Sequence, residues 1–221
     1  MKNTIHQNKY WAYSTAFIMS FNGGYINAIC LVSILGNPVG YVTGNLTIAG
    51  ESIEKGQFVL FLHLIVLVFC FLAGSIISGL VIKSQHFKID RRYISSLILQ
   101  FMTLFCAMLL LIFGHKQSAY LLALTMGMQN AMTTHYGSAL VRTTHMTGTT
   151  TDLGILISRW IKGDSIEFWK MHLYVSLIVG FACGAVLGAL AYHFFYAVAL
   201  SLSFLFYIFM MSWLFLNKNS E

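Results

Sequence analysis

The sequence predicts an all-α polytopic membrane protein: six transmembrane helices arranged as two inverted repeats of three, each repeat with a re-entrant or broken half-helix. Three observations point there. The 221-residue chain is 57% hydrophobic and 9% charged, against about 25% charged in an ordinary soluble domain, so it lacks the residues to cover a water-facing surface. Six stretches are apolar over the roughly 20 residues that a helix needs to cross a hydrocarbon core of about 30 Å. Two polar connections between those stretches repeat each other at a nearly constant spacing.

The first expected span is Tyr10–Leu35. Lys2 and Lys9 precede it in the manner of a signal peptide, but no small-x-small cleavage site follows, so it reads as an uncleaved span. The connection Gly36–Gln57 is too polar to face lipid and too patterned for a simple loop. Phe58–Ile82 and Ile94–Phe113 complete a first repeat over about 10–113. The second, over about 118–216, holds Tyr120–Leu140, the polar connection Val141–Glu167, Met171–Tyr192 and Phe194–Leu216. The first and fourth spans are the most polar. The whole of 1–221 is expected to form a single membrane domain.

Lys and Arg give the orientation. With the N-terminus cytoplasmic, 11 of the 13 basic residues fall inside and only Lys55 and Lys116 outside, which favours both termini in the cytoplasm and an even number of crossings. The net charge of +6 is thereby explained by topology, and no nucleic-acid partner is expected. Cys30, Cys70, Cys106 and Cys183 are isolated within apolar runs and read as small apolar side chains. No metal set and no cofactor motif is present. Trp11, Trp160, Trp169 and Trp213 fall near span ends, as interfacial anchors do.

The internal repeat rests on paired motifs. Asn27-Ala28 matches Asn130-Ala131 at an offset of 103, and Thr43-Gly44 matches Thr147-Gly148 at 104. Gly74 and Ser78 align with Gly180 and Gly184 at 106. A unit with three crossings leaves its copy upside down, the architecture of many transporters, with the working site at the repeat interface.

Within each unit, Thr43-Gly44-Asn45 and Thr147-Gly148-Thr149 read as helix starts, with Thr and Asn available as caps and Gly permitting a sharp turn. The short helices are expected to end near Glu54 and Lys162. Irregular backbone at membrane depth survives only inside protein or beside a wet cavity. Two half-helices beginning there would turn two positive ends toward one point.

The expected solute ligands are therefore the backbone N–H groups of Thr43, Gly44, Asn45, Thr147, Gly148 and Thr149, with Asn27, Gln129 and Asn130 orienting the solute from mid-span. His145 and Asp152 are candidates for proton or cation coupling. Asp152 is also explained as a carboxylate in a helix's first turn. Arg142 clusters with His135 and His145 around the second insertion; it reads as a cytoplasmic-side anchor, with anion recognition or proton coupling by the cluster as the alternative. The stripe Gly180, Gly184 and Gly188 reads as close helix packing within one chain, with a homodimer seam as the alternative.

The runs Asn22–Ala28, Val42–Asn45, Gly127–Ala131 and Arg142–Thr149 resemble the YoaK-like bacterial membrane proteins, a family catalogued as a domain of unknown function. The resemblance covers nearly the whole chain. Asn27 departs from it, since an acidic residue is expected to be common there. What the resemblance implies is the membrane class, with no activity attached.

No G-x-S-x-G, H-E-x-x-H or C-x-x-C occurs, so an enzyme is not expected. The function expected is a secondary carrier or permease in the inner (cytoplasmic) membrane, its partners the lipid bilayer and a small polar or anionic solute. The alternatives are a channel-like pore and a non-transporting partner of proteins or lipids.

Overall fold

Among the described residues, four stretches are helical, long and apolar enough to cross a membrane: Tyr13–Val32, Phe58–Val81, Arg92–Ile112 and the 48-residue run Phe168–Phe215. The computed structural model describes residues 9–82, 91–136 and 142–217, and every regular element in them is helical. In chain order these are α1 (Lys9–Val32), α2 (Val42–Glu54), α3 (Phe58–Val81), α4 (Arg91–Ile112), α5 (Ser118–Tyr136), α6 (Met146–Ile161), α7 (Phe168–Phe195) and α8 (Ser201–Asn217). Lys2, Lys83, Lys88 and Lys218, the side chains of Lys9, Trp11 and Arg91, and the end of the fourth expected span lie outside the described residues.

The 48-residue run would extend about 72 Å as one helix, over twice the thickness of a hydrocarbon core. It breaks at Tyr196, whose φ of 50° is the one positive value outside glycine among the described residues, and a 3₁₀ turn over Tyr196–Leu200 follows. The sixth helix therefore starts at Ser201 rather than Phe194, because α7 runs on to Phe195. Ala197, Ala199 and Leu200 of the turn are buried, and the Tyr25 hydroxyl donates to the Ala199 carbonyl at 2.8 Å.

α1 lies along α7, and α3 along α5. Both contacts depend on glycine, because backbone meets backbone. A Cβ on Gly24 would sit 2.1 Å from the Phe181 carbonyl oxygen, and one on Gly184 2.0 Å from that of Phe21. The same clashes recur between α3 and α5: Gly127 against the Phe71 oxygen at 2.0 Å and Gly74 against the Leu124 oxygen at 2.0 Å. Gly24 and Phe21 lie 103 residues before Gly127 and Leu124, while Phe71 and Gly74 lie 110 before Phe181 and Gly184.

This corrects the sequence alignment of Gly74 with Gly180. The partner of Gly74 is Gly184, at an offset of 110. α6 has 16 residues where α2 has 13, and the link 162–167 is three residues longer than 55–57. The spacing accordingly grows by six across the insertion. Gly180 and Gly188 pack on the Phe17 and Tyr25 carbonyls of α1, so the glycine stripe is filled inside the chain.

α1 and α5 form the interior. Met19, Tyr25, Ile26 and Ile29 of α1, and Leu122, Ala123 and Met126 of α5, are at most 1% exposed. α5 is absent from the four apolar stretches because it carries Thr125, Gln129, Asn130 and Thr133, and all four are buried. α3 turns Phe58, Val59, Phe69 and Leu80 outward, a surface suited to hydrocarbon.

Candidate functional site

The two polar insertions start their helices in the same way. Tyr41 caps α2 with φ −102° and ψ 65°, and His145 caps α6 with φ −88° and ψ 56°. Neither helix has a side-chain cap hydrogen bond, so the expected Thr capping does not occur. Instead the capping residue folds its ring across the first turn. A Cβ on Gly44 would lie 1.8 Å from Tyr41 Cε1, and one on Gly148 2.2 Å from His145 Nε2. Glycine is required there to make room for a ring.

The first backbone bonds of the two helices are Asn45 N–H to the Tyr41 carbonyl at 2.9 Å and Thr149 N–H to the His145 carbonyl at 3.1 Å. The amides of Asn45 and Thr149 are thus engaged within their helices. The first-turn amides of 42–44 and 146–148 have no partner inside an α-helix.

Ahead of each helix the irregular backbone is tied to a buried carboxamide. Gly40 N–H donates to Asn27 Oδ1 at 2.7 Å, and Thr144 N–H to Asn130 Oδ1 at 3.2 Å. Asn45 Nδ2 adds a bond to the Pro38 carbonyl at 3.1 Å. Gly40 and Thr144 meet: a Cβ on Gly40 would be 3.3 Å from Thr144 Cγ2.

Around this meeting point lies a cavity of about 830 Å³. Its wall is made largely of matched positions: Asn27 with Asn130, Tyr41 with His145, Val42 with Met146, Thr43 with Thr147, and Phe71 with Phe181. The starts of both α2 and α6 therefore open into one space. Arg142 also lines it, and no acidic side chain does.

Of the expected site residues, the structure brings Asn27, Thr43, Asn130, His145 and Thr147 to this wall. Gly44, Asn45, Gly148 and Thr149 sit just behind it in the first helical turns. Gln129 lies elsewhere, wholly buried. Its Oε1 accepts from Asn22 Nδ2 at 2.8 Å and from the Tyr207 hydroxyl at 3.3 Å. Its Nε2 donates to the Met19 carbonyl at 2.9 Å and to Thr143 Oγ1 at 3.2 Å. It is a knot joining α1, α5, α8 and the α5–α6 connection. Ser20 reinforces it, donating to the carbonyls of Thr143 and Leu177 at 3.1 and 2.7 Å.

Asp152 is exposed, away from the cavity, and in the second turn of α6, whose first turn holds no acid. The dipole explanation for it therefore fails, since that effect fades beyond one turn. His135 faces Gly79 of α3 instead of the cavity. Among the described residues, no group of three or more His, Cys, Asp or Glu could hold a metal ion.

Sequence reasoning missed Gly40, Tyr41, Thr144, Phe71 and Phe181, and for Arg142 favoured an anchor over anion recognition. The offset of 104 that pairs Thr43 with Thr147 also pairs Tyr41 with His145 and Gly40 with Thr144, and would have flagged them. Phe71 and Phe181 needed the offset of 110, legible only once the insertions' lengths are known.

No curated protein and no solved structure matches the chain significantly. A family model described as a protein of unknown function, DUF1275, matches residues 15–213. This all-helical membrane chain thus belongs to the DUF1275 family, the YoaK-like group that its paired motifs resemble.

Proposed function

We propose that the protein is a secondary carrier or permease for a small polar or anionic solute, held near mid-membrane between two inverted halves. The observation that carries this is the opening of two helix N-termini, α2 and α6, into one cavity lined by Arg142 and by no carboxylate. Each start contributes unpaired N–H groups and the positive end of a helix dipole. A negative or acceptor-rich solute is what such ends attract.

The recurrence of whole contacts supports two inverted halves: Gly24 on Phe181 and Gly127 on Phe71, Asn27 with Gly40 and Asn130 with Thr144. In this reading α1, α3 and α4 cross the membrane, as do α5, α7 and α8, with α2 and α6 as the re-entrant helices. The outward apolar rows of α3 meet lipid. The Lys and Arg distribution supports an inner-membrane protein with both termini cytoplasmic.

The test is uptake by purified protein in liposomes, over a panel of inorganic anions, carboxylates, amino acids, sugars and nucleobases. Saturable uptake of one solute class, absent from empty liposomes and from Thr43→Asp protein, is the expected result. No uptake of anything in the panel overturns the proposal.

A further inference from the structure

We infer that the solute is an amphipathic organic anion, with a carboxylate-like head and an apolar body, a conclusion that rests on the solute-binding reading above and narrows it. The matched shell of the cavity carries unmatched chemistry.

The head is recognised by a free donor. Asn27 is 6% exposed and lines the cavity. Its orientation is fixed, because Gly40 N–H requires the carboxamide oxygen. Its NH₂ also lies beside Gly40, with no hydrogen bond among the described residues. Its counterpart Asn130 donates its NH₂ to the Met126 carbonyl at 2.9 Å and offers the cavity nothing. A donor in the cavity wall with no protein partner is free to be accepted from by whatever fills the cavity. A carboxylate does so, and it is favoured by the unpaired amides of two helix starts and by Arg142.

The body is recognised by the rest of the wall. At four matched positions one side chain is apolar or aromatic where the other is polar: Leu31 against Thr134, Pro38 against Arg142, Tyr41 against His145, and Ala185 against Ser75. Phe71 and Phe181 stand on both sides. A bare inorganic anion would lose its hydration against such a surface without compensation. An anion with a hydrocarbon portion gains by burying it. About 830 Å³ falls in the range typical of small-organic-molecule sites.

The experiment compares five probes at equal concentration on the purified full-length protein, reading thermal stabilisation in detergent and uptake into liposomes. Benzoate and hexanoate have head and body; acetate and chloride lack the body; benzamide lacks the charge. Benzoate and hexanoate are expected to stabilise and to be taken up, and the other three to do neither. Asn27→Asp and Arg142→Gln are each expected to weaken benzoate binding roughly tenfold or more, with folding checked by the unliganded melting midpoint. Arg142 is exposed, so its variant serves if Asn27→Asp fails to fold. Acetate or chloride acting as well as benzoate overturns the apolar body. Benzamide acting as well overturns the anionic head. Inert carboxylates beside uptake of another solute in the broad panel overturn this inference alone. Silence across both panels overturns the solute-binding reading with it.

Discussion

The Asn27 carboxamide oxygen holds the backbone N–H of Gly40 at 2.7 Å, so a side chain in the middle of α1 pins the irregular segment that leads into α2. Asn130 does the same for Thr144 ahead of α6. Backbone N–H groups outside regular helix need partners of their own, and these two carboxamides supply them. Asn27→Leu or Asn130→Leu is expected to destabilise the protein by about 1–3 kcal/mol each. Amide exchange should accelerate at Gly40 in the first variant and at Thr144 in the second. Unchanged exchange in both would show that the connections are held by something else.

The glycine contacts predict a sharp contrast. Gly184→Val and Gly74→Val each drive a side chain into a backbone carbonyl that would lie 2.0 Å from its Cβ, and neither helix can yield without losing its neighbour. Each is expected to cost at least about 1–3 kcal/mol, read as a lower melting midpoint in detergent. Gly50 has open space around it, and Gly50→Ala should gain up to about 1 kcal/mol from helix propensity.

Gln129→Met removes four hydrogen bonds at once, the one from the Asn22 amide among them. A loss of about 1–3 kcal/mol or more is expected. Tyr207→Phe removes only the bond at 3.3 Å and should cost about 1 kcal/mol or less. Equal losses in the two variants would mean that the Tyr207 bond, and not the amide, dominates the knot.

Thr43→Asp separates folding from binding. A carboxylate in the first turn of α2 is favoured by the helix dipole by about 0.3–1 kcal/mol, so stability should hold or rise. The same carboxylate occupies the cavity with the charge of the solute, and solute binding should disappear. Retained binding would mean that the α2 start is not part of the site.

Much of this architecture is legible in the sequence because its motifs occur in pairs. Thr43-Gly44 and Thr147-Gly148 mark both insertion helices, and their ends at Glu54 and Ile161 fall within a residue of expectation. What was not legible depends on shape. The caps are Tyr41 and His145, because a ring over a glycine does the work expected of a threonine hydroxyl. The Gly74–Gly184 pairing was hidden by six extra residues across α6 and its link. Gln129 resembled a solute ligand because a mid-span amide is costly, and only its four partners reveal that the cost is met within the protein. The division of the last apolar run was expected between Tyr192 and Phe194, and falls a few residues later, at Tyr196, because no glycine or proline marks it.

The central claim is that the starts of α2 and α6 share one wet cavity that a solute can fill. Single Thr43→Cys and Thr147→Cys variants, in protein whose four native cysteines are replaced by alanine, can be reconstituted and treated with a negatively charged thiol reagent. The account predicts that both positions react and that the same anions slow both reactions. Failure of either position to react, or protection at one and not the other, would contradict it.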